Sequence, residues 1–191
     1  MITALRRALR RLRRSRVGSS AVEFVGMAPV VGVLLFASVD LGNVLYTKFR
    51  LNAAVAAGGN YVLSRTADIS TANATSVAET TATIVANTTA SGFATTIVTV
   101  NNGPVTTVTG GTPATTSPAT QDIPIKQGRC YCPTSASTFG ANAACGAACG
   151  GGGIAGRFVT ISAKRAYTPL LSSYGATSGG YIIVSNVVQT E

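Results

Sequence analysis

Four cysteines and one carboxylate set among apolar residues are the groups in this sequence whose types and spacing could do chemistry. The cysteines form two close pairs, Cys130-Tyr131-Cys132 and Cys145-Gly-Ala-Ala-Cys149. In an oxidising compartment four such thiols make two disulfides, with three connectivities that spacing alone does not separate. We expect two bridges joining the first pair to the second and clamping the glycine-rich loop Gly146 to Gly156. The alternative is a four-thiolate zinc site, but the usual C-x₂₋₄-C spacing fits only the second pair. The chain has no His, which removes the commonest general base and the commonest zinc ligand. Gly150 to Gly153 lacks the Lys-Ser/Thr of a phosphate-binding loop and reads as a flexible loop.

The carboxylate is Glu23. It is the one charge in the 19 residues from Ala21 to Val39, close to the roughly 20 needed to cross a hydrocarbon core. Near a helix end such a charge snorkels to the interface; deeper, it calls for a cationic partner. The remaining carboxylates (Asp40 aside) are Asp68, Glu79, Asp122 and Glu191, scattered with no shared motif. No nucleophile–base pair or metal cluster emerges, so the expectation is a protein that is not an enzyme and takes no cofactor.

Seven arginines fall within the first sixteen residues, with no acid among them, and the other 175 residues hold 8 basic against 6 acidic groups. The formal charge of +9 therefore belongs to one short arm. Nucleic-acid binding would ask for a basic face on the fold itself, so no nucleic-acid partner is expected. Charged residues are only 11% of the 191, against the roughly 25% of a soluble domain. A basic arm beside an apolar span stays cytoplasmic. The reading is one membrane span with its N-terminus inside and everything after about Asp40 outside. A cleaved secretory signal would need small residues at −3 and −1 beyond the apolar run, and Phe36-Ala37-Ser38-Val39-Asp40 supplies a poor match.

Arg14-Ser15-Arg16-Val17-Gly18-Ser19-Ser20-Ala21-Val22-Glu23-Phe24, followed by an apolar run holding Pro29, resembles the class III signal of type IV pilin-like proteins. It is most similar to the TadE-like pseudopilins of the tight-adherence (Flp) pilus system, with Glu23-Phe24 where major Flp pilins usually carry Glu-Tyr. The resemblance implies cleavage by a prepilin peptidase between Gly18 and Ser19, leaving Glu23 as fifth residue. It further implies insertion in the inner membrane with the C-terminal domain periplasmic, packing against other pilin subunits with the inner-membrane pilus assembly machinery, and an extracellular location once in a pilus used for surface attachment. The freed α-amino group, of pKa about 8, would be a cation for Glu23 to pair with, and such a pair would set subunit register. The other reading is an uncleaved, single-span anchored binding or adhesion domain.

These residues need elements to position them. Leu41, Val44, Leu45, Phe49, Leu51, Val55 and Val62 continue a helical period, so one helix runs from about Ser20 past Gly58, transmembrane to about residue 40 and amphipathic beyond. Pro29 should kink it, Gly26 and Gly32 allow close helix contact, and Gly42, Gly58 and Gly59 weaken it. Ile69 to Ala90 reads as a second helix, Phe93–Val100 and Val105–Thr109 as strands about an Asn101-Asn102-Gly103-Pro104 turn, and Gly110–Thr120 as an exposed loop. Arg157–Tyr167 and Tyr181–Gln189 read as antiparallel strands, an ending that is also similar to TadE-like proteins. The expected organisation is a leader (1–18), a long helix (19–65) and an extracytoplasmic α+β domain (66–191), pilin-like, with the helix packed on an antiparallel sheet. Asn73-Ala74-Thr75 and Asn87-Thr88-Thr89 match glycosylation sequons by chance in a Thr-rich stretch.

Overall fold

The computed structural model describes residues 19–70, 72–90, 92–116, 128–135, 138–170 and 177–190. The leader, with Gly18 and the arginine arm, lies outside these residues. The elements are α1 (Ser19–Ser64), a 3₁₀ turn (Thr66–Ser70), α2 (Ala74–Thr88), β1 (Thr95–Val100), β2 (Val105–Thr109), β3 (Thr112–Thr116), β4 (Cys130–Ser135), β5 (Thr138–Ala143), β6 (Phe158–Ala166) and β7 (Tyr181–Gln189). The fold is α+β. It divides into two units, Met1–Asn43 with Pro169–Ser172, and Val44–Thr168 with Ser173–Glu191.

In the first unit, α1 runs unbroken through Pro29. Val22, Phe24, Val25, Met27, Val30, Val31, Val33, Leu34, Leu35, Phe36 and Val39 are all more than half exposed. An apolar helix surface of this extent is suited to lipid. Its polar exceptions are handled locally: Ser38 Oγ donates to the Leu35 carbonyl at 2.8 Å. Asp40 is buried at 1% exposure, and its Oδ2 accepts from the Leu170 backbone N–H at 3.2 Å.

The second unit is built on a five-stranded antiparallel sheet in the order β3-β2-β1-β6-β7. Strand alternation sends Thr96, Val98, Val100, Thr106, Val108, Val159, Ile161, Ala163, Ile182 and Val188 to one face, and all ten are buried. The C-terminal part of α1 contributes Val44, Leu51, Ala54, Val55 and Val62 to the core, residues that share one helix face at separations of three, four and seven. Helix α2 does the same with Ala74, Val77, Ala78, Ala82, Val85 and Ala86. One of the glycines that weaken α1 by propensity, Gly58, is what lets it approach. A Cβ on Gly58 would sit 2.6 Å from Val85 Cγ2, 3.3 Å from Thr81 Cγ2 and 3.4 Å from Ile161 Cδ1. Helices α1 and α2 and strand β6 meet there, at a spacing only a glycine permits.

The β1–β2 hairpin closes through Asn101 and Asn102, both left-handed (φ 45° and 57°), with the Gly103 N–H donating to the Val100 carbonyl at 2.8 Å. Two central residues with φ > 0 match strand twist, and Asn tolerates that region best after Gly.

One sequence reading needs correction, and two features add to the others. Gly110–Thr120 was expected as a loop, but Thr112–Thr116 pairs with β2 as an edge strand. Pro113 lacks an N–H, which an edge strand tolerates. The β4–β5 hairpin was not expected: its register shifts twice, so no clean alternation betrays it. The glycine run is a hydrogen-bonded turn, with the Gly152 N–H donating to the Cys149 carbonyl at 3.0 Å and the Cys149 N–H to the Gly153 carbonyl at 3.1 Å.

Candidate functional site

At the start of α1, Ser19 opens the helix and Glu23 follows four residues later. That separation is about one helical turn. Glu23 and Phe24 are both exposed, Phe24 at 73%. Pro29 lies one to two turns further on. Its missing N–H frees one carbonyl in the first two turns of an apolar helix.

The cysteines are joined first pair to second, Cys130–Cys145 and Cys132–Cys149, with Cα–Cα distances of 5.0 and 5.7 Å. All four thiols are consumed, so none is left to ligate a metal. The bridges staple β4 to the turn that holds the glycine run. Tyr131, between Cys130 and Cys132, exchanges both backbone hydrogen bonds with Gly156 (2.8 and 3.1 Å). Burial pushes the Tyr131 phenol above its ordinary pKa of 10.0, against the Arg129 charge and a hydrogen bond with Asn102, which both pull it down. Asn101 ties this region to the sheet. Its Nδ2 donates to the Arg129 carbonyl at 2.8 Å, its Oδ1 accepts from the Phe158 N–H at 3.3 Å, and its own N–H donates to the Phe158 carbonyl at 2.7 Å.

A third group of residues was not anticipated from sequence. Arg50 of α1 and Arg165 of β6 both lie over the Phe93 ring, their guanidinium carbons 4.4 and 3.8 Å from its centroid. Arg165 Nη1 also donates to Thr47 Oγ1 at 3.4 Å. Lys164 Nζ sits over Tyr181 at 5.2 Å. A cavity of about 420 Å³ is lined by residues including Phe93, Thr109, Gly110, Lys164, Arg165 and Tyr181. The only sequence signal was the adjacent Lys164-Arg165 in a strand that otherwise alternates. The separation of Arg50 from Arg165 in sequence hides the rest. Asp40 was likewise read only as the end of the apolar run, and its burial against Leu170 depends on a contact 130 residues away.

The single apolar N-terminal helix fits a single-span membrane protein, carrying an α+β unit with two disulfides. The family model described as TadE-like protein matches residues 18–60, from the glycine of the leader motif to the part of α1 that enters the core. Over that segment the chain is TadE-like, as the leader and helix motif implied, and the resemblance is to proteins of the tight-adherence pilus system. No curated protein and no solved structure matches the chain.

Proposed function

We propose that the chain is a minor pilin, or pseudopilin, of a tight-adherence type IV pilus. It is made as a precursor, held in the inner membrane by α1 and cut by a prepilin peptidase between Gly18 and Ser19. The mature form is assembled into, or primes, a filament used in surface attachment, and it catalyses nothing itself. The observation that carries the reading is the TadE-like match beginning at Gly18, running into an apolar helix in which Glu23 follows Ser19 by one turn. Once cut, the Ser19 α-amino group is a cation one turn from a carboxylate. In a low-dielectric setting each charge is costly alone, and pairing them, within a subunit or between neighbours, relieves both.

The deciding experiment is the intact mass and N-terminal sequence of the protein purified from its own host. A start at Ser19 supports the pilin reading. A start at Met1 leaves an uncleaved anchored binding or adhesion domain, and Glu23 becomes an interfacial charge.

A further inference from the structure

The five-stranded sheet ends on β3 at one side and on β7 at the other, and the two edges are built differently. Strand β3 has five residues and carries Pro113, a residue that blunts an edge against further pairing. Strand β7 has nine residues, Tyr181–Gln189, with no charge, no Pro and no Gly among them. It pairs with β6 at all nine positions without a register shift. A long, regular, uncharged edge of this kind is a template for another strand.

Hydrogen bonds just beyond its two ends show which groups β7 has left to offer. The Thr190 N–H donates to the Arg157 carbonyl at 2.9 Å, and the Tyr167 N–H to the Gly180 carbonyl at 2.9 Å. Both pairs continue the β6–β7 register, and hydrogen-bonded pairs alternate along an antiparallel ladder. The even-numbered residues of β7 therefore bond to β6, and Ile183, Ser185 and Val187 turn their N–H and C=O groups to the open edge. Their side chains share the sheet face opposite the core, with Ile183 48% exposed and Ser185 also exposed.

This edge is self-complementary about Ser185. In an antiparallel pair centred there, Ser185 faces its own copy, and Ile183 of each strand faces Val187 of the other. Apolar against β-branched apolar and hydroxyl against hydroxyl are favourable cross-strand pairs. The charge beside this row is Lys164, which pairs with Ile183 across β6 and β7. In the two-fold arrangement Lys164 and its copy lie three strand spacings and four residues apart. That is about 20 Å, beyond a Debye length, so like charges do not oppose the contact.

We propose that β7 docks against β7 of a second copy of the chain, antiparallel about a two-fold axis at Ser185, joining the two sheets into one of ten strands. Such an isologous contact closes on itself and makes a dimer. The inference goes beyond leader processing and filament assembly and depends on neither.

The test uses the full chain in maltoside micelles, with native mass spectrometry over a series of protein concentrations. The wild type should dimerise. Ser185→Pro removes an N–H that β6 does not use, a change an edge strand tolerates, and should weaken the dimer about tenfold or more because each copy loses a hydrogen bond. Ile183→Lys, at an exposed side chain, puts a charge on the edge and should weaken the dimer likewise, which covers the case in which Ser185→Pro misfolds. Ser185→Cys should cross-link to its copy through a short bifunctional thiol reagent, whereas Ala114→Cys on β3 should not. A wild type that stays monomeric throughout would overturn the proposal, leaving the edge to water or to a strand of a different protein. Dimerisation of both variants at the wild-type level would overturn it in favour of contact between α1 helices. Cross-linking of Ala114→Cys as fast as Ser185→Cys would also overturn it, because the copies would then meet in no fixed register.

Discussion

Gly58 offers the sharpest test of how the second unit is packed. Replacing it with Ala does two opposing things. In a helix interior Ala is favoured over Gly by about 0.8–1.0 kcal/mol. The added Cβ, however, would lie 2.6 Å from Val85 Cγ2, inside contact distance, with Thr81 Cγ2 and Ile161 Cδ1 at 3.3 and 3.4 Å. Overpacking of this kind costs about 1–3 kcal/mol. Gly59 is the internal control: its Cβ would meet Val188 Cγ2 at 3.4 Å and Asn186 Nδ2 at 3.7 Å, ordinary contacts. Both substitutions gain the same propensity, so their difference isolates the clash. Gly59→Ala should stabilise by up to about 1 kcal/mol, whereas Gly58→Ala should destabilise by up to about 2 kcal/mol. Because the nearest obstacle is Val85 Cγ2, Gly58→Ala should become neutral or stabilising in a Val85→Ala background. The assay is guanidinium unfolding of the disulfide-intact chain in micelles, followed by far-UV circular dichroism, with a double-mutant cycle. A coupling energy within about 0.5 kcal/mol of zero, the scatter expected of independent sites, would refute the reasoning. So would equal shifts for the two glycines.

Four further outcomes are expected. Gly18→Leu should block leader removal, so that the mature mass retains the arginine arm; an unchanged mature mass would count against processing at that bond. Glu23→Gln should leave cleavage intact but lower the amount of the chain recovered in sheared pili, and normal recovery would sink the charge-pairing argument. Removing the Cys132–Cys149 bridge, which closes a separation of 17 residues, as Cys132→Ser/Cys149→Ser should cost about 3 kcal/mol for the region it staples. Hydrogen exchange should then rise in the β4–β5 hairpin while the amides of β1 and β6 stay protected. For Tyr131, burial makes the folded state hold the phenolic proton more tightly than the unfolded chain does. That stabilisation is complete below pH 10 and is lost as the pH rises through the raised folded value, so Tyr131→Phe should flatten the fall in the unfolding midpoint above pH 10.

What could be read from the residues alone was what local pattern dictates. The charge-free run after Glu23 and the apolar period from Leu41 to Val62 specified α1, because a helix repeats every 3.6 residues whatever it packs against. Alternation specified β6 and β7, and Asn101-Asn102-Gly103 specified the hairpin turn. The two close cysteine pairs were read as disulfides, and the leader and helix motif carried the resemblance to TadE-like proteins. The tertiary structure decided what depends on residues distant in sequence. It chose the Cys130–Cys145 and Cys132–Cys149 pairing, buried Asp40 against Leu170, and made β3 an edge strand by giving it β2 as a neighbour. It also turned Gly58 from a weakness in α1 into a point of tight contact with α2, and gathered Arg50 of α1, Phe93 from the segment before β1 and Arg165 of β6. Each of these turns on which side chains meet across the core, and a one-dimensional pattern records only the period at which a residue faces inward.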